Sequence, residues 1–439
     1  MANTETASGF AGAGATLSER QKALRSLRAA VFGNLLEWFD WTLYGTFAVY
    51  LAANFFDNSN PTSALLSVLA VFAVGFVARP VGGIVFGRFG DKIGRKNTLI
   101  LTMSTMALAS FIIAFIPSYE SIGIWASVLL LTARLLQGLA HGGESGVSYA
   151  YVAEISPPEH RGLWSSSVFV SVTLGVMGAT LLGILLTSIF TKEQMMEYGW
   201  RIGFAFGGLL GIFALYMRRA SHETPVYTKT SASKAEPRPL TRQEKIQILF
   251  KVIFFSSSSN VAYYTWVTFA PSMAISNHGM DANGAFIASL CAQVVTLFLL
   301  PFFGHLADRF GRKTMVAIYG LGIILAPFPV NAILTSEPWT LFVSQGIGLA
   351  VWAIIAAIYP ALIAEQIPTK QRALGVGFLS SLSVAIFGGT APYLNTWLTS
   401  IGMSWVFSVY IMFLGLLAVI AATMIRETKG IPLSEISGD

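Results

Sequence analysis

The chain has 439 residues, 54% of them hydrophobic and 11% charged, with a formal net charge of +6. Ordinary soluble domains carry roughly 25% charged residues, so the composition excludes a soluble globular protein and indicates a membrane protein. The single cysteine, Cys291, excludes an intrachain disulfide, and with no HExxH, GxSxG, Walker or Cys/His pattern present neither a metal site, a membrane enzyme nor an ATP-driven pump is expected.

The first stretch, MANTETASGFAGAGATLSER, is small and polar without an apolar core, so no cleaved secretory signal is expected. Residues 1–28 read as a disordered, basic cytoplasmic segment. Apolar runs long enough to cross about 30 Å of hydrocarbon, roughly 20 residues each, then follow in a regular series. They fall near 29–56, 64–88, 97–117, 122–154, 162–190, 199–218, 247–276, 283–306, 314–335, 339–365, 373–399 and 403–425. These predict twelve transmembrane helices in an all-α membrane protein, six in 29–218 and six in 247–425, joined by a cytoplasmic linker at 219–246 and ending in a tail at 426–439. The linker falls in RRASHETPVYTKTSASKAEPRPLTRQEK, the one long Ser/Pro/Lys-rich stretch. Placing the N terminus inside puts 24 of the 28 Lys and Arg in cytoplasmic segments, which predicts cytoplasmic termini. Topology therefore accounts for the basic balance, and no nucleic-acid partner is expected.

Four charges lie within the apolar runs of the N-terminal half: Glu37, Asp40, Arg79 and Arg134. A central charge costs about 2.5 to 3.5 kcal/mol on insertion scales, so each demands a reason. Simple neutralisation in buried ion pairs is the plain explanation. Proton coupling and anion recognition is the functional one, since buried pairs contribute little stability for their cost. On the first segment Asn34, Glu37, Trp41 and Tyr44 share a stripe, with Asp40 offset by about 60°. On the fourth, Arg134, Gln137, His141, Ser145 and Ser148 share another, interrupted by Gly138, Gly142, Gly143 and Gly146, small residues that let backbones approach closely. Asp40 lies near the middle of its segment and is expected to pair with Arg134, leaving Glu37 to neutralise Arg79.

The halves repeat. GRFGDKIGRK (87–96) matches GHLADRFGRK (304–313), and AEISPPEHRG (153–162) matches AEQIPTKQRALG (364–375). Two related halves side by side enclose a path near the midplane, the architecture of alternating-access transporters. At the ends of the segments Asp91 with Arg95, Asp308 with Arg312, and the pairs Glu154/Arg161 and Glu365/Arg372 are placed to form a cytoplasmic gate.

Through these repeats the chain resembles the major facilitator superfamily. GNLLEWFD, ARPVGGIVFGRFGDKIGRK, RLLQGLAHGGESG and YGWRIGF are similar to the metabolite:proton symporters, which include 2-oxoglutarate permeases, shikimate and citrate transporters and proline/betaine symporters. Spacing along the chain most resembles the 2-oxoglutarate permeases. The resemblance implies a monomeric, multi-pass transporter of the bacterial inner membrane, driven by a proton gradient without a cofactor and moving a small carboxylate. Related sugar:proton symporters couple protons through a helix-one acid and a helix-four arginine, which implies that Asp40 or Glu37 carries the proton with Arg134 as the partner in coupling. Substrate contacts are expected from Arg79, Arg134, Tyr44, Asn34 and Gln137, and in the C-terminal half from Asn260, Tyr263, Tyr264, Gln345 and Trp352. Arg201 matches the permease pattern and is a secondary candidate on the anion path. His141 stands where the family has a small apolar residue; a packed, hydrogen-bonded role is preferred here over a relay with Glu144. Alternative substrates are shikimate, citrate, proline or betaine, and a non-transporting sensor of the same fold is the remaining alternative.

Overall fold

A computed structural model describes residues 34–93, 95–142, 145–219, 241–368 and 372–436, with the side chains of 87–99, 145–148, 214, 216–219, 373 and 434 outside the description. Within lipid, every backbone N–H and C=O must be satisfied internally, and long apolar runs therefore fold as helices. No strand occurs among the described residues. In the first half the helices are α1 (34–46, resumed as Ala48–Phe55), α2 (Pro61–Ile93), α3 (Arg95–Phe115), α4 (Ile124–His141, resumed as Ser145–Ile155), α5 (Arg161–Ile189) and α6 (Trp200–Arg219). In the second they are α7 (Arg242–Ala262, then Ala270–His278), α8 (Ala282–Phe310), α9 (Arg312–Leu325, then Pro327–Ile333), α10 (Pro338–Ala356, then Tyr359–Ala364), α11 (Arg372–Ser383, then Ala391–Ser400) and α12 (Ser404–Met424).

Seven helices among the described residues are long and apolar enough to cross a membrane, or eight if the two parts of α9, bent by 46°, form one span. Large apolar side chains such as Val77, Phe115, Phe298 and Leu325 point outward and are exposed, as expected where the surrounding medium is lipid. α7 begins at Arg242, earlier than the expected 247, because Thr241 and Glu244 close a reciprocal capping box on its first turn.

Glycines decide the closest approach in the N-terminal half. A Cβ at Gly138 would fall on the carbonyl oxygen of Gly75, and one at Gly142 on that of Arg79, so α2 and α4 pack backbone to backbone along the predicted glycine face. That contact sets the register of Arg79 against His141. α5 and α8 run side by side between the halves, Gly162 against Gly304 at one end and Gly183 against the Phe286 ring at the other.

Besides α9, three helices of the second half are interrupted. The interruptions are the π-helical turns at Tyr263–Thr268 in α7 and Val384–Gly388 in α11, and the break after Ala356 in α10. Such interruptions are tolerated at membrane depth only where protein or a cavity receives the freed backbone groups.

Gly138→Val forces its side chain into the α2 backbone and should abolish monodisperse protein in fluorescence-detected size-exclusion chromatography, since overpacking costs about 1 to 3 kcal/mol or more. Gly346→Val, where a Cβ meets nothing within 4 Å, should behave as the parent.

Candidate functional site

Asp40 is 7% exposed and meets three neighbours. Ser110 of α3 donates to its Oδ1, Gln137 Nε2 of α4 donates to its Oδ2 at 3.1 Å, and Gly207 of α6 lets that helix close over the carboxylate, a Cβ there being 2.8 Å from Oδ1. Asp40 and Arg134 do not pair directly as expected. Gln137, one turn beyond Arg134, stands between them and accepts from Arg134 Nη1 at 2.7 Å. Helical spacing places Arg134 and Gln137 on one face; only packing showed that the amide would occupy the gap between acid and guanidinium. The result is a hydrogen-bonded chain from Ser110 through Asp40 and Gln137 to Arg134, sealed inside the N-terminal half.

Trp41, next to Asp40 on α1, separates the two cations. Arg134 lies 4.0 Å from the indole centroid and Arg79 4.1 Å from it, with Tyr44 and Phe76 supplying further faces at 4.3 Å each. Desolvated guanidiniums over aromatic faces gain about 2 kcal/mol or more, which helps hold both charges in an apolar surround. Arg79 Nε and Nη2 have no hydrogen-bond partner among the described residues, and Arg79 lines a central cavity of about 40 Å³. A space of that size admits only a few water positions, so binding of a metabolite requires the halves to separate.

The expected Glu37–Arg79 pair is not the arrangement found. Glu37 meets Nδ1 of His141, because α4 presents His141 beside α1 while Arg79 turns onto Trp41 and Phe76. The imidazole, expected to be packed and hydrogen-bonded, stands against the Glu37 carboxylate and is its ionic partner when protonated, set among Trp38 at 5.6 Å and Trp41 at 5.2 Å between ring centroids. Glu144 lies outside the described residues.

Of the expected substrate contacts, Arg79, Asn260, Tyr263, Tyr264 and Trp352 come together around the cavity. The others lie elsewhere. Asn34 donates to Ser171 at 2.7 Å and ties α1 to α5; Tyr44 donates to the Val68 carbonyl at 2.9 Å; Gln345 donates to the Trp266 carbonyl at 2.8 Å and to Ser289 at 3.0 Å. Arg134 and Gln137 belong to the Asp40 chain. Arg201 donates to the Ala114 and Ile116 carbonyls at 3.0 and 2.5 Å and stacks on Trp200, an end cap for α3 rather than part of the cavity wall.

Trp38, Tyr149, Phe169, Ser380 and Ser381 also line the wall without having been among the expected substrate contacts, with Tyr359, Ser259 and Val384 beside them. Tyr149 continues the Arg134–His141 stripe of α4 and was legible on that ground; the serines of α11 carried no signal. Arg79 is the charged residue in this lining, and Asn260 donates to Ser383 at 2.9 Å across α7 and α11.

At the end of the bundle that carries the C-terminal tail, the ion pairs cross between halves. Arg161 pairs with Glu365 at 2.8 Å and Arg372 with Glu154 at 3.1 Å. The expected partners within each half are exchanged, as follows when two related loops face each other across a shared axis. Arg312 contacts Asp308 at 3.0 Å and Glu365 at 3.6 Å, and Asp308 accepts from the backbone N–H groups of Gly162 and Leu163 at 2.7 and 2.9 Å, the start of α5. The tail joins in: Thr428 donates to Glu365 at 2.6 Å and Arg161 to the Ile431 carbonyl at 3.0 Å. The Asp91 and Arg95 side chains lie outside the described residues.

A membrane-embedded helical bundle of two related halves with a small cavity between them is the architecture of a transporter. The chain belongs to the major facilitator superfamily. Residues 27–238 match the family described as sugar (and other) transporter and residues 287–435 match the Major Facilitator Superfamily. The chain is 35% identical over 422 residues to the alpha-ketoglutarate permease of Escherichia coli K12, covering 95% of this chain and 97% of that one. It is 34% identical over 393 residues to a putative proline/betaine transporter of Staphylococcus aureus strain COL, covering 87% and 83%. It is also 34% identical over 414 residues to the inner membrane metabolite transport protein YhjE of E. coli K12, covering 92% and 94%. Among solved structures, a D-xylose-proton symporter superposes with a TM-score of 0.72 at 19% identity, over 93% of this chain and 99% of that one; at that identity the likeness concerns the fold.

Glu365→Gln removes the acid shared by Arg161 and Arg312, and breaking such buried pairs costs about 3 to 5 kcal/mol. In a Cys291→Ser background, a cysteine at Ser380 should become more reactive to a maleimide applied from the tail side. Unchanged labelling would show that these pairs do not hold that end closed.

Proposed function

We propose that the protein is a proton-coupled symporter that moves a small carboxylate, 2-oxoglutarate or a related dicarboxylate, by alternating access. Arg79 carries this reading: a guanidinium with two unpartnered nitrogens turned into a cavity between the halves suits bidentate capture of a carboxylate. The relative named as an alpha-ketoglutarate permease supports the substrate. Asp40 is the proposed proton carrier. When it is ionised, Gln137 holds it to Arg134; when it is protonated, that restraint on the N-terminal half weakens and the halves rearrange. The charge network at the tail end then opens and the substrate leaves.

The rest of the proposal concerns setting. The helices form twelve spans with both termini in the cytoplasm, the chain acts as a monomer in a bacterial inner membrane, and the proton gradient supplies the drive without a cofactor. A second reading is favoured by one observation. Trp38, Tyr149, Tyr263, Tyr264 and Trp352 surround the cavity with aromatic faces, which suit a quaternary ammonium such as betaine, with its carboxylate on Arg79.

Uptake into inverted and right-side-out vesicles, with and without a pH gradient, tests the function. Labelled 2-oxoglutarate should accumulate, and a protonophore should abolish the accumulation. Asp40→Asn and Arg134→Ala should each remove gradient-driven accumulation, and full retention in either would overturn the coupling route. Arg79→Lys keeps the charge but loses the fork, and a loss of about 1.5 to 3 kcal/mol, tenfold or more in apparent affinity, is expected for a charge-assisted contact. Betaine accumulation instead would select the second reading, and binding without flux would select a sensor.

A further inference from the structure

Tyr263 and Tyr264 reach the cavity from the π-helical turn of α7. In such a turn each N–H donates five residues back rather than four, and Phe269 does so to the Tyr264 carbonyl at 3.1 Å. Two residues further along, the same register assigns the Trp266 carbonyl to the N–H of residue 271, which is Pro271 and has none. Gln345 of α10 supplies a donor in its place, with Nε2 at 2.8 Å from that carbonyl. The same nitrogen donates to Ser289 of α8 at 3.0 Å, and Ser289 also accepts from Gln293. Gln345 is 1% exposed and its Oε1 has no hydrogen-bond partner among the described residues, so the amide acts here as a donor, and the carbonyl it meets fixes which way it faces. α10 grips the turn at a second point: a Cβ at Gly348 would fall 2.6 Å from the Trp266 ring, so the indole rests directly on the α10 backbone. Gln345 itself is not part of the cavity wall.

We propose that Gln345 is a positioning residue for the cavity: by standing in for the N–H that Pro271 lacks, it holds the α7 turn in the register that presents Tyr263 and Tyr264 to the substrate. This rests on the reading of the cavity as a carboxylate site. A buried carbonyl without a donor is costly, and without Gln345 the Trp266 carbonyl is satisfied from within α7 only in the four-residue register, by Ala270. That change removes the extra residue of the turn, so the parts of α7 before and after it rotate against each other by about 100°. The later part is tied to α1 by Ser272, which donates to the Gly45 carbonyl at 2.6 Å. The rotation therefore falls on the side that carries the tyrosines, and Tyr263 loses its place against Trp352, 5.3 Å away between ring centroids. Asp40, Gln137 and Arg134 lie in the other half and keep their hydrogen bonds. Loss of Gln345 is thus felt in substrate affinity and not in turnover.

The test uses the full-length protein in proteoliposomes with an imposed pH gradient, and labelled 2-oxoglutarate and betaine as probes. Gln345→Met, similar in length but without a donor, should raise the KM of the transported probe about tenfold and leave the maximal rate within about twofold of the parent. Pro271→Ala returns the missing N–H, so adding it to Gln345→Met should restore the parental KM. Ser289→Ala, which leaves the Trp266 contact in place, should behave as the parent. Hydrogen exchange read by mass spectrometry gives a signal without ligand: Gln345→Met should speed exchange in residues 263–273 and leave α12 unchanged, and Pro271→Ala should reverse the effect. Where Gln345→Met does not purify, Gln345→Asn, whose amide ends one bond short of the carbonyl, serves with the same outcomes. A parental KM in the Gln345 variant, a double variant that stays weak, or an equal loss in Ser289→Ala overturns the proposal. Faster exchange throughout the bundle shows a general structural role and overturns it as well. If the parent transports neither probe, the carboxylate reading of the function fails; unchanged exchange at 263–273 overturns the Gln345 proposal itself.

Discussion

Charge inside an apolar bundle has to be answered by a neighbouring side chain, because neither lipid nor a distant water layer can answer it. Every feature of the N-terminal half follows from how α1 meets this demand. Its two carboxylates both meet side chains of α4, Asp40 meeting Gln137 and Glu37 meeting His141, with Ser110 of α3 also donating to Asp40, and the glycines of α4 bring its backbone against α2. The same packing leaves Arg79 with its guanidinium turned to the cavity. Stability and function are therefore set by one contact surface: the glycine face that permits close packing also positions the cation.

Trp41 makes that arrangement possible. Two guanidiniums close together repel each other, and an indole between them offers each a negative face while keeping them apart. One cation stays sealed with Asp40 and the other faces the cavity, so the Asp40 chain and the cavity-facing guanidinium are neighbours without sharing hydrogen bonds. The C-terminal half contributes shape. Its interrupted helices α7, α10 and α11 deliver tyrosines, a tryptophan and serines to the cavity wall, where unwound turns and hydroxyls provide hydrogen bonds without adding charge.

The tail-end network shows how a sequence repeat becomes an interlock. Matching loops at 153–162 and 364–375 carry an acid and an arginine each, and either acid has the right chemistry for either arginine. The observed exchange across the halves gives these pairs leverage over opening, since they must break when the halves part. Pairs within one half would have moved together and resisted nothing. The tail adds Thr428 and the Ile431 carbonyl to the same cluster, so the chain beyond α12 also bears on the closed end.

Sequence alone determined the membrane setting, the helical class and the residues under tension, because these depend on composition, periodicity and the cost of charge in lipid, all of which are local properties; the family was legible through the resemblance of the repeated loop motifs. Glu37, Asp40, Arg79 and Arg134 stood out by that cost, and the glycine stripe of α4 announced a close helix contact. Partnership was decided only by the tertiary structure. Whether Asp40 meets Arg134 or Gln137, and whether Glu37 meets Arg79 or His141, turns on helix rotation and ångström-scale register, for which several side chains of suitable charge were equally eligible. The exchanged ion pairs were hidden for the same reason: they arise where the two halves of the chain meet, and no window of sequence contains both sides of that contact.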